Sequence, residues 1–229
     1  MARRIPEARF DELVDAATEV FIARGYRLTQ MSDVAKAVGV AKGTLYGYVE
    51  SKEALFSLCL AHADRTQPLP HPAVLPVPAP RRGALRASVK QLTSDESVSP
   101  ALEDALKQAR VDDPRAELEG IVREFYVTLE RFCCSIKLLD RCSDYPELQA
   151  IWQAEGREAP RAALTRYLET RMQAGQLRKM PSVQLAARMI VEVCTTWAIH
   201  IKWDRSPEAF DPSEARENAI AFLVNALAL

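Results

Sequence analysis

Six prolines crowd the stretch between residues 68 and 80: Pro68, Pro70, Pro72, Pro76, Pro78 and Pro80. No helix interior or central strand survives that density, because each proline fixes φ and removes a backbone N–H donor. The segment is therefore expected to be an extended, semi-rigid connector of polyproline II character. It divides the chain into residues 1–51 as a small N-terminal domain, 52–67 as a connecting helix, 68–80 as the linker and 81–229 as a larger C-terminal domain.

Both flanks read as helix. Phe10, Leu13, Val14, Ala17 and Phe21 fall on one helical face, in a first helix expected from about Pro6 to Arg24 with Gly25 as its stop. Thr29 is expected to cap a second helix that runs to Val38 and stops at Gly39. A third short helix is expected over Lys42 to Tyr48, and Ser51 caps a fourth. Beyond the prolines, residues 81–113 suggest two short helices. Leu118, Val122, Phe125, Leu129, Phe132, Ile136 and Leu139 then alternate spacings of four and three, which predicts one long amphipathic helix. Three more helices are expected: Pro146 to Gly175, kinked near Pro160, then Pro181 to Asp204 and Pro212 to Ala228. With only 8 glycines in 229 residues and no β-type alternation, the chain is expected to be all-α.

The formal net charge of -1 argues against a protein that coats nucleic acid by bulk charge. Residues 1–65 hold nine Lys or Arg and nine Asp or Glu, so any DNA face there must be local; Arg3, Arg4, Lys36, Lys42 and Lys52 are its candidates. The N-terminal residues lack the apolar run of an export signal. The most apolar stretch, Val183 to Ile201, carries Arg188, Glu192 and His200 and reads as a buried helix rather than a membrane span. A cytoplasmic protein with no membrane partner is expected. Cys59, Cys133, Cys134, Cys142 and Cys194 show no zinc spacing and read as reduced thiols. Oxidation at Cys133, Cys134 or Cys142 would perturb the core, but inert burial is the simpler role. Cys59 and His62 stand three apart without further ligands, so no metal is expected. No nucleophile elbow, zincin motif or glycine-rich phosphate loop is present, so neither an enzyme nor a cofactor is expected.

Two short helices separated by a turn at Gly39, with helix one behind them, form a helix-turn-helix pattern. Such a unit lays one helix across the DNA backbone and places the next in the major groove, where base edges are distinct. The residues Val34-Ala35, Gly39-Val40-Ala41-Lys42-Gly43-Thr44-Leu45-Tyr46, Tyr48 and Ser51-Lys52-Glu53-Ala54-Leu55, with Ala17, Phe21 and Gly25-Tyr26 before them, resemble the TetR family of bacterial regulators over about residues 8–58. The resemblance implies that Lys42, Gly43 and Thr44 lie on the groove side of the recognition helix. It implies that Tyr46 meets a thymine methyl or a phosphate and that Tyr48 donates to a phosphate. It also implies that Lys52 holds an anion at the start of helix four, and that Thr29, Gln30 and Ser32 contact the backbone at the start of helix two. Ser32 stands where an arginine is frequent in the family, and Ala41 where a serine usually caps the recognition helix.

The resemblance further implies an effector pocket in the C-terminal half. Phe125, Tyr126, Phe132, Trp152, Tyr167 and Trp197 are its candidate walls, although packing is the simpler role for any one of them. The last two helices are expected to pair across a homodimer through Met189, Ile190, Val193, Phe222, Leu223 and Leu227. The chain is thus expected to be a sequence-specific transcriptional regulator, a repressor released from palindromic operator DNA by a small molecule. Two alternatives remain open at this point. One is a helical ligand-binding or interaction protein whose DNA face has decayed; the other is a related activator or thiol-based sensor.

Overall fold

A computed structural model of the chain describes residues 7–70, 72–81, 83–96, 99–141, 145–206 and 208–229. Pro6, Arg3, Arg4 and Cys142 lie outside the described residues. The elements are α1 (Glu7–Leu28), α2 (Met31–Val38), α3 (Lys42–Leu45), α4 (Lys52–His62), α5 (Ala84–Glu96), α6 (Pro100–Leu106), α7 (Pro114–Arg131), α8 (Cys133–Arg141), α9 (Pro146–Ile151), α10 (Ala159–Gln173), α11 (Val183–Ala198) and α12 (Pro212–Leu227). A π-helical stretch covers Trp152–Glu158 and a 3-10 turn covers His200–Trp203. Among the described residues the only β pairing is two isolated bridges, Val49 with Val77 and Leu177 with Ala228. No helix among these residues is long and apolar enough to cross a membrane.

The chain forms two compact units, one within Met1–Lys90 and Cys134–Trp152, the other within Gln91–Cys133 and Gln153–Leu229. The proline segment 68–80 therefore belongs to the first unit and does not separate two domains. Its backbone finds a partner there: Val77 N–H donates to Tyr48 O at 2.8 Å, and Glu50 N–H donates to Val77 O at 3.0 Å. Prolines forbid helix, but the non-proline residues between them keep their donors.

In the first unit α1 packs against α2 and α4. Phe10, Leu13, Val14, Ala17 and Phe21 supply the buried face of α1, and Leu55, Phe56, Cys59 and Leu60 that of α4. Gly25 takes φ 79° and ψ 167°, which breaks the α1 ladder one residue beyond the expected end. Ser51 Oγ accepts from Ala54 N–H at 3.0 Å and starts α4 as expected.

The single long helix expected through Leu139 is broken at Phe132, where φ is -102° and ψ 24°. The cause is an N-cap from far along the chain. Asp64, just past α4, accepts from Cys134 N–H at 2.7 Å and from Ser135 N–H at 2.9 Å, so its carboxylate opens a new helix. The expected kink near Pro160 takes the form of the π-helical stretch that ends at Glu158. Pro160 removes the donor that Gly156 O would otherwise receive, and the ladder widens just upstream.

In the second unit α7 packs on α11 and α12, and α6 on α7 and α10. Leu118, Ile121, Val122, Leu164, Leu168, Ile190, Ile220 and Leu223 are buried in its core. One charged group is also buried there. Arg171, with a fully buried side chain, donates to both Glu117 oxygens at 2.7 and 2.9 Å and to the carbonyls of Gln108 and Ala105 at 2.7 and 3.0 Å. The fork ties α10 to α7 and to the end of α6. Arg171→Met leaves the Glu117 carboxylate, only 15% exposed, without its partner. The substitution is expected to lower unfolding free energy by about 3–5 kcal/mol in urea titrations, and adding Glu117→Gln should restore part of that loss.

Candidate nucleic-acid interface

The turn between α2 and α3 is fixed by backbone geometry. Gly39 adopts φ 73° and ψ 33°, the left-handed conformation that glycine reaches without penalty. Its N–H donates to Lys36 O at 3.2 Å, and Val40 N–H donates to Ala35 O at 2.9 Å, which satisfies the last carbonyls of α2. At the other end of α2, Gln30 rather than Thr29 is the N-cap. The Asp33 carboxylate accepts from Gln30 N–H at 2.9 Å and pairs with Arg24 Nη1 at 3.1 Å.

The turn delivers a short recognition helix with one inward residue. Leu45 is fully buried, and Ala41, Lys42, Gly43, Thr44 and Tyr46 are exposed. The helix spans Lys42–Leu45, shorter than expected, and continues as tight turns to Val49. Ala41 provides no side-chain cap. Gln30, Ser32 and Lys36 are exposed as well. A Cβ placed on Gly43 would meet nothing within 4 Å, so the protein's own packing does not require glycine there.

Two of the candidate DNA contacts are buried, and the ammonium of a third, half-buried Lys52, bonds to the protein's own backbone. Thr29 is 1% exposed and its Oγ1 donates to Gly25 O at 2.7 Å. Tyr48 is 3% exposed, and its ring stacks on Phe10 with centroids 6.4 Å apart. Lys52 Nζ donates to Tyr26 O at 2.9 Å and to Thr29 O at 3.0 Å, and it lies 4.4 Å from the centroid of the Tyr26 ring. Thr29 is thereby removed from the DNA surface, and the Tyr48 ring and the Lys52 ammonium brace the helix-turn-helix. The apolar bodies of Thr and Tyr and the long lysine stem make such packing inexpensive, and the polar tips of Thr29 and Lys52 find backbone partners. Sequence reading missed Asp33, Glu50 and Val77. Asp33 was open to detection as an acidic residue in the first turn of α2; the pairing of Glu50 and Val77 leaves no local signal.

The candidate pocket residues divide between the units. Trp152 lies in the first unit, where its indole N–H donates to Asp140 Oδ1 at 2.8 Å. In the second unit Tyr126 and Tyr167 are buried, and Phe125, Phe132 and Trp197 are half-buried. Burial, then the Glu130 carboxylate, pushes the Tyr126 hydroxyl up to about 12. The Tyr167 hydroxyl is buried with no hydrogen-bond partner, and burial followed by the Glu117 carboxylate holds it protonated well above the ordinary tyrosine range. Of the candidate interface residues, Ile190, Leu223 and Leu227 are buried in the unit's own core, which removes them from any interface. Met189 and Phe222 are 57% and 67% exposed, and Val193 is half-buried. Leu185, 58% exposed, joins Met189 one helical turn away. Cys59 and Cys194 are buried thiols pushed up to about 12, chiefly by burial. Cys133 is buried and accepts from Lys202 Nζ at 3.0 Å, and Cys134 is half-buried.

A braced α1, a supporting α2, a left-handed glycine turn and an outward α3 define a helix-turn-helix DNA-binding domain. Residues 13–59 match the family model for bacterial regulatory proteins of the tetR family, and residues 115–224 match that for the C-terminal domain of AefR-like transcriptional repressors. The chain belongs to the TetR family of bacterial transcriptional regulators. It is similar to the fatty acid metabolism regulator protein of Bacillus subtilis, at 44% identity over 45 residues that cover 20% of this chain and 23% of that protein. The chain spans under a quarter of the length of the first curated relatives it matches. Its fold resembles that of the ketosteroid transcriptional regulator KstR2 of Mycobacterium tuberculosis, with a TM-score of 0.57 at 17% identity, covering 99% of this chain and 97% of that one. It also resembles AibR, solved in complex with isovaleryl coenzyme A and operator DNA, with a TM-score of 0.53 at 16% identity, covering 94% and 98%.

Exposure separates the residues that can reach DNA from those that brace it. On a duplex selected from random DNA by the wild-type protein, Lys42→Ala is expected to lose about tenfold in affinity. Gly43→Ala should also bind more weakly while raising unfolding free energy by about 0.5–1 kcal/mol, since alanine favours helix. Tyr48→Phe should keep its stability, because the ring packs on Phe10, so any loss of affinity reports its hydroxyl on a phosphate. Fluorescence anisotropy beside urea titration checks all three.

Proposed function

We propose that the chain is a homodimeric transcriptional repressor of the cytoplasm that leaves a palindromic operator when a small molecule binds its second unit. The observation that carries this reading is the outward face of α3: Ala41, Lys42, Gly43, Thr44 and Tyr46 are exposed around one buried anchor, Leu45. A side-chain-free, sterically open Gly43 suits close approach of a DNA backbone. Thr44 and Tyr46 offer hydroxyls, and Tyr46 adds an apolar ring face for a thymine methyl. Gln30, Ser32 and Lys36 supply backbone contacts from α2.

The domain is electrically balanced, so one copy binds weakly, and two copies double the phosphate contacts. The exposed Leu185, Met189 and Phe222 on α11 and α12 support pairing of these helices with a second chain. Recognition helices in such a dimer meet major grooves about 34–36 Å apart. In sedimentation the protein is expected to be dimeric at micromolar concentration. Phe222→Asp should be monomeric and still folded, since the residue carries no core packing, and should lose most of its operator affinity.

The second unit's buried tyrosines and half-buried phenylalanines and tryptophan suit an apolar effector with a few polar groups. The Bacillus subtilis relative is a fatty acid metabolism regulator, KstR2 is a ketosteroid transcriptional regulator and AibR was solved with isovaleryl coenzyme A, so acyl-coenzyme A thioesters are the first class to test. The signal passes along the chain from α7 into α8. Within the first unit α8 is clasped at both ends: Asp64 caps its start, and Arg141 near its end donates to Ile22 O at 2.9 Å and Ala23 O at 3.1 Å on α1. Tyr145 adds a hydrogen bond to Glu53 and packs edge-on to Tyr26. A shift of α8 thereby moves α1 and α4 together, and with them the helix-turn-helix. Isovaleryl coenzyme A and longer acyl homologues are expected to release the selected duplex in gel shifts. Asp64→Ala should bind the duplex and raise its melting temperature with the same thioester as wild type, yet show about tenfold weaker release. Equal operator affinity with and without every thioester would sink the effector class; a wild-type protein that selects no sequence would sink the repressor itself.

A further inference from the structure

The recognition helix stands on a backbone pairing that its own sequence does not supply. Its four residues have no side-chain cap and only one buried anchor. A helix this short has no stability of its own in water. Its C-terminal exit, Tyr48 to Glu50, is gripped by the proline-rich segment. Val77 sits between the two: its N–H donates to Tyr48 O at 2.8 Å, its carbonyl accepts from Glu50 N–H at 3.0 Å, and Val49 between them is fully buried. The Glu50 carboxylate then accepts from Ala79 N–H at 3.0 Å, a second grip two residues further along. The segment is moored at its other end to α1, where Leu69 N–H donates to Asp11 Oδ1 at 2.9 Å. Asp11 is itself held by Arg65 at 3.4 Å.

We infer that residues 76–79 are a positioning element for operator recognition: they hold the exit of α3 at a fixed place against α1, although they are assigned no base contact. The inference rests on the reading of this unit as operator-binding and goes beyond it. The spacing of the prolines fits the role. Pro76 and Pro78 flank Val77 and restrict its neighbours to extended backbone, while Val77 and Ala79 keep the two N–H groups that pair. The segment is thus pre-set for pairing, so little conformational entropy is lost when it docks. Sequence-specific binding needs the recognition helix in one orientation; non-specific binding tolerates several. A positioning element therefore acts on the ratio of the two.

The test uses the full chain, a duplex it selects from random DNA, and poly(dI-dC) as the non-specific probe. Val77→Pro removes the N–H that Tyr48 O accepts. It is expected to lower affinity for the selected duplex about tenfold and to leave poly(dI-dC) within about twofold of wild type. Val77→Ala keeps the donor and should bind both probes like wild type. At exposed Glu50, Glu50→Ala should lower selectivity and Glu50→Gln, which still accepts from Ala79, should retain it; this pair decides the matter if Val77→Pro fails to fold. Unchanged selectivity in Val77→Pro, or a parallel loss on both probes that follows a fall in melting temperature, would overturn the inference. So would equal gains for Glu50→Ala and Glu50→Gln on both probes, which would mark Glu50 as a repulsive charge and nothing more. A wild-type chain that selects no sequence defeats the operator reading first, and the positioning role with it.

Discussion

A four-residue helix cannot hold its own shape, and this chain places the exposed residues proposed to read DNA on one. Everything around α3 compensates for that. The left-handed Gly39 sets its direction, buried Leu45 anchors its underside, and Tyr48 stacks on Phe10 just beyond its end. Lys52 acts from the other side. Its ammonium gathers the carbonyls of Tyr26 and Thr29, so the start of α4 grips the loop that leads into α2. Each contact is ordinary, worth about 1 kcal/mol net for a hydrogen bond. Together they convert a marginal segment into a rigid reader, because every one of them restricts the same few backbone torsions.

The bracing explains why Thr29 and the Tyr48 ring are buried and why half-buried Lys52 turns its ammonium to the backbone. Thr29, Tyr48 and Lys52 have polar tips on bodies that pack well, and sequence spacing cannot say which end faces water. Burial settles the question. Thr29 and Lys52 meet backbone carbonyls that the break at Gly25 leaves without helical donors nearby. Gly25 thus does two things: it ends the α1 ladder, and it frees the backbone that the brace uses.

Local chemistry was legible from the sequence, and long-range pairing was not. Gly25, Gly39 and Ser51 announced their turns and caps because each acts within a few residues. The apolar faces of α1, α2 and α4 followed from spacing for the same reason. The break at Phe132 escaped, because the apolar repeat runs straight through it; the cap that opens α8 comes from Asp64, 70 residues away in sequence. The proline segment was read correctly as non-helical and wrongly as a linker between domains. Composition reports what a backbone cannot do, and the pairing of Val77 with Tyr48 and Glu50 depends on what lies opposite. The candidate interface residues divide for a similar reason. Ile190 and Met189 are neighbours on one apolar helix, yet one is buried and the other exposed, and periodicity alone does not rank two apolar faces.

Charge balance joins these features to function. A strongly basic reader is held on any DNA by counterion release, and a change of helix angle then costs it little of its total affinity. The first 65 residues here carry equal numbers of acidic and basic side chains, so that reservoir is small. Affinity must then come from placement: a few side chains on α3 in the right orientation, twice over in the proposed dimer. Placement is also what a shape change can remove. A regulator that works in the proposed way is sensitive to small movements of α1 and α4, the two elements that Asp64 and Arg141 join to α8. Rigidity within the helix-turn-helix and leverage upon it are complementary demands, since only a reader that moves as one body loses its match to the groove all at once.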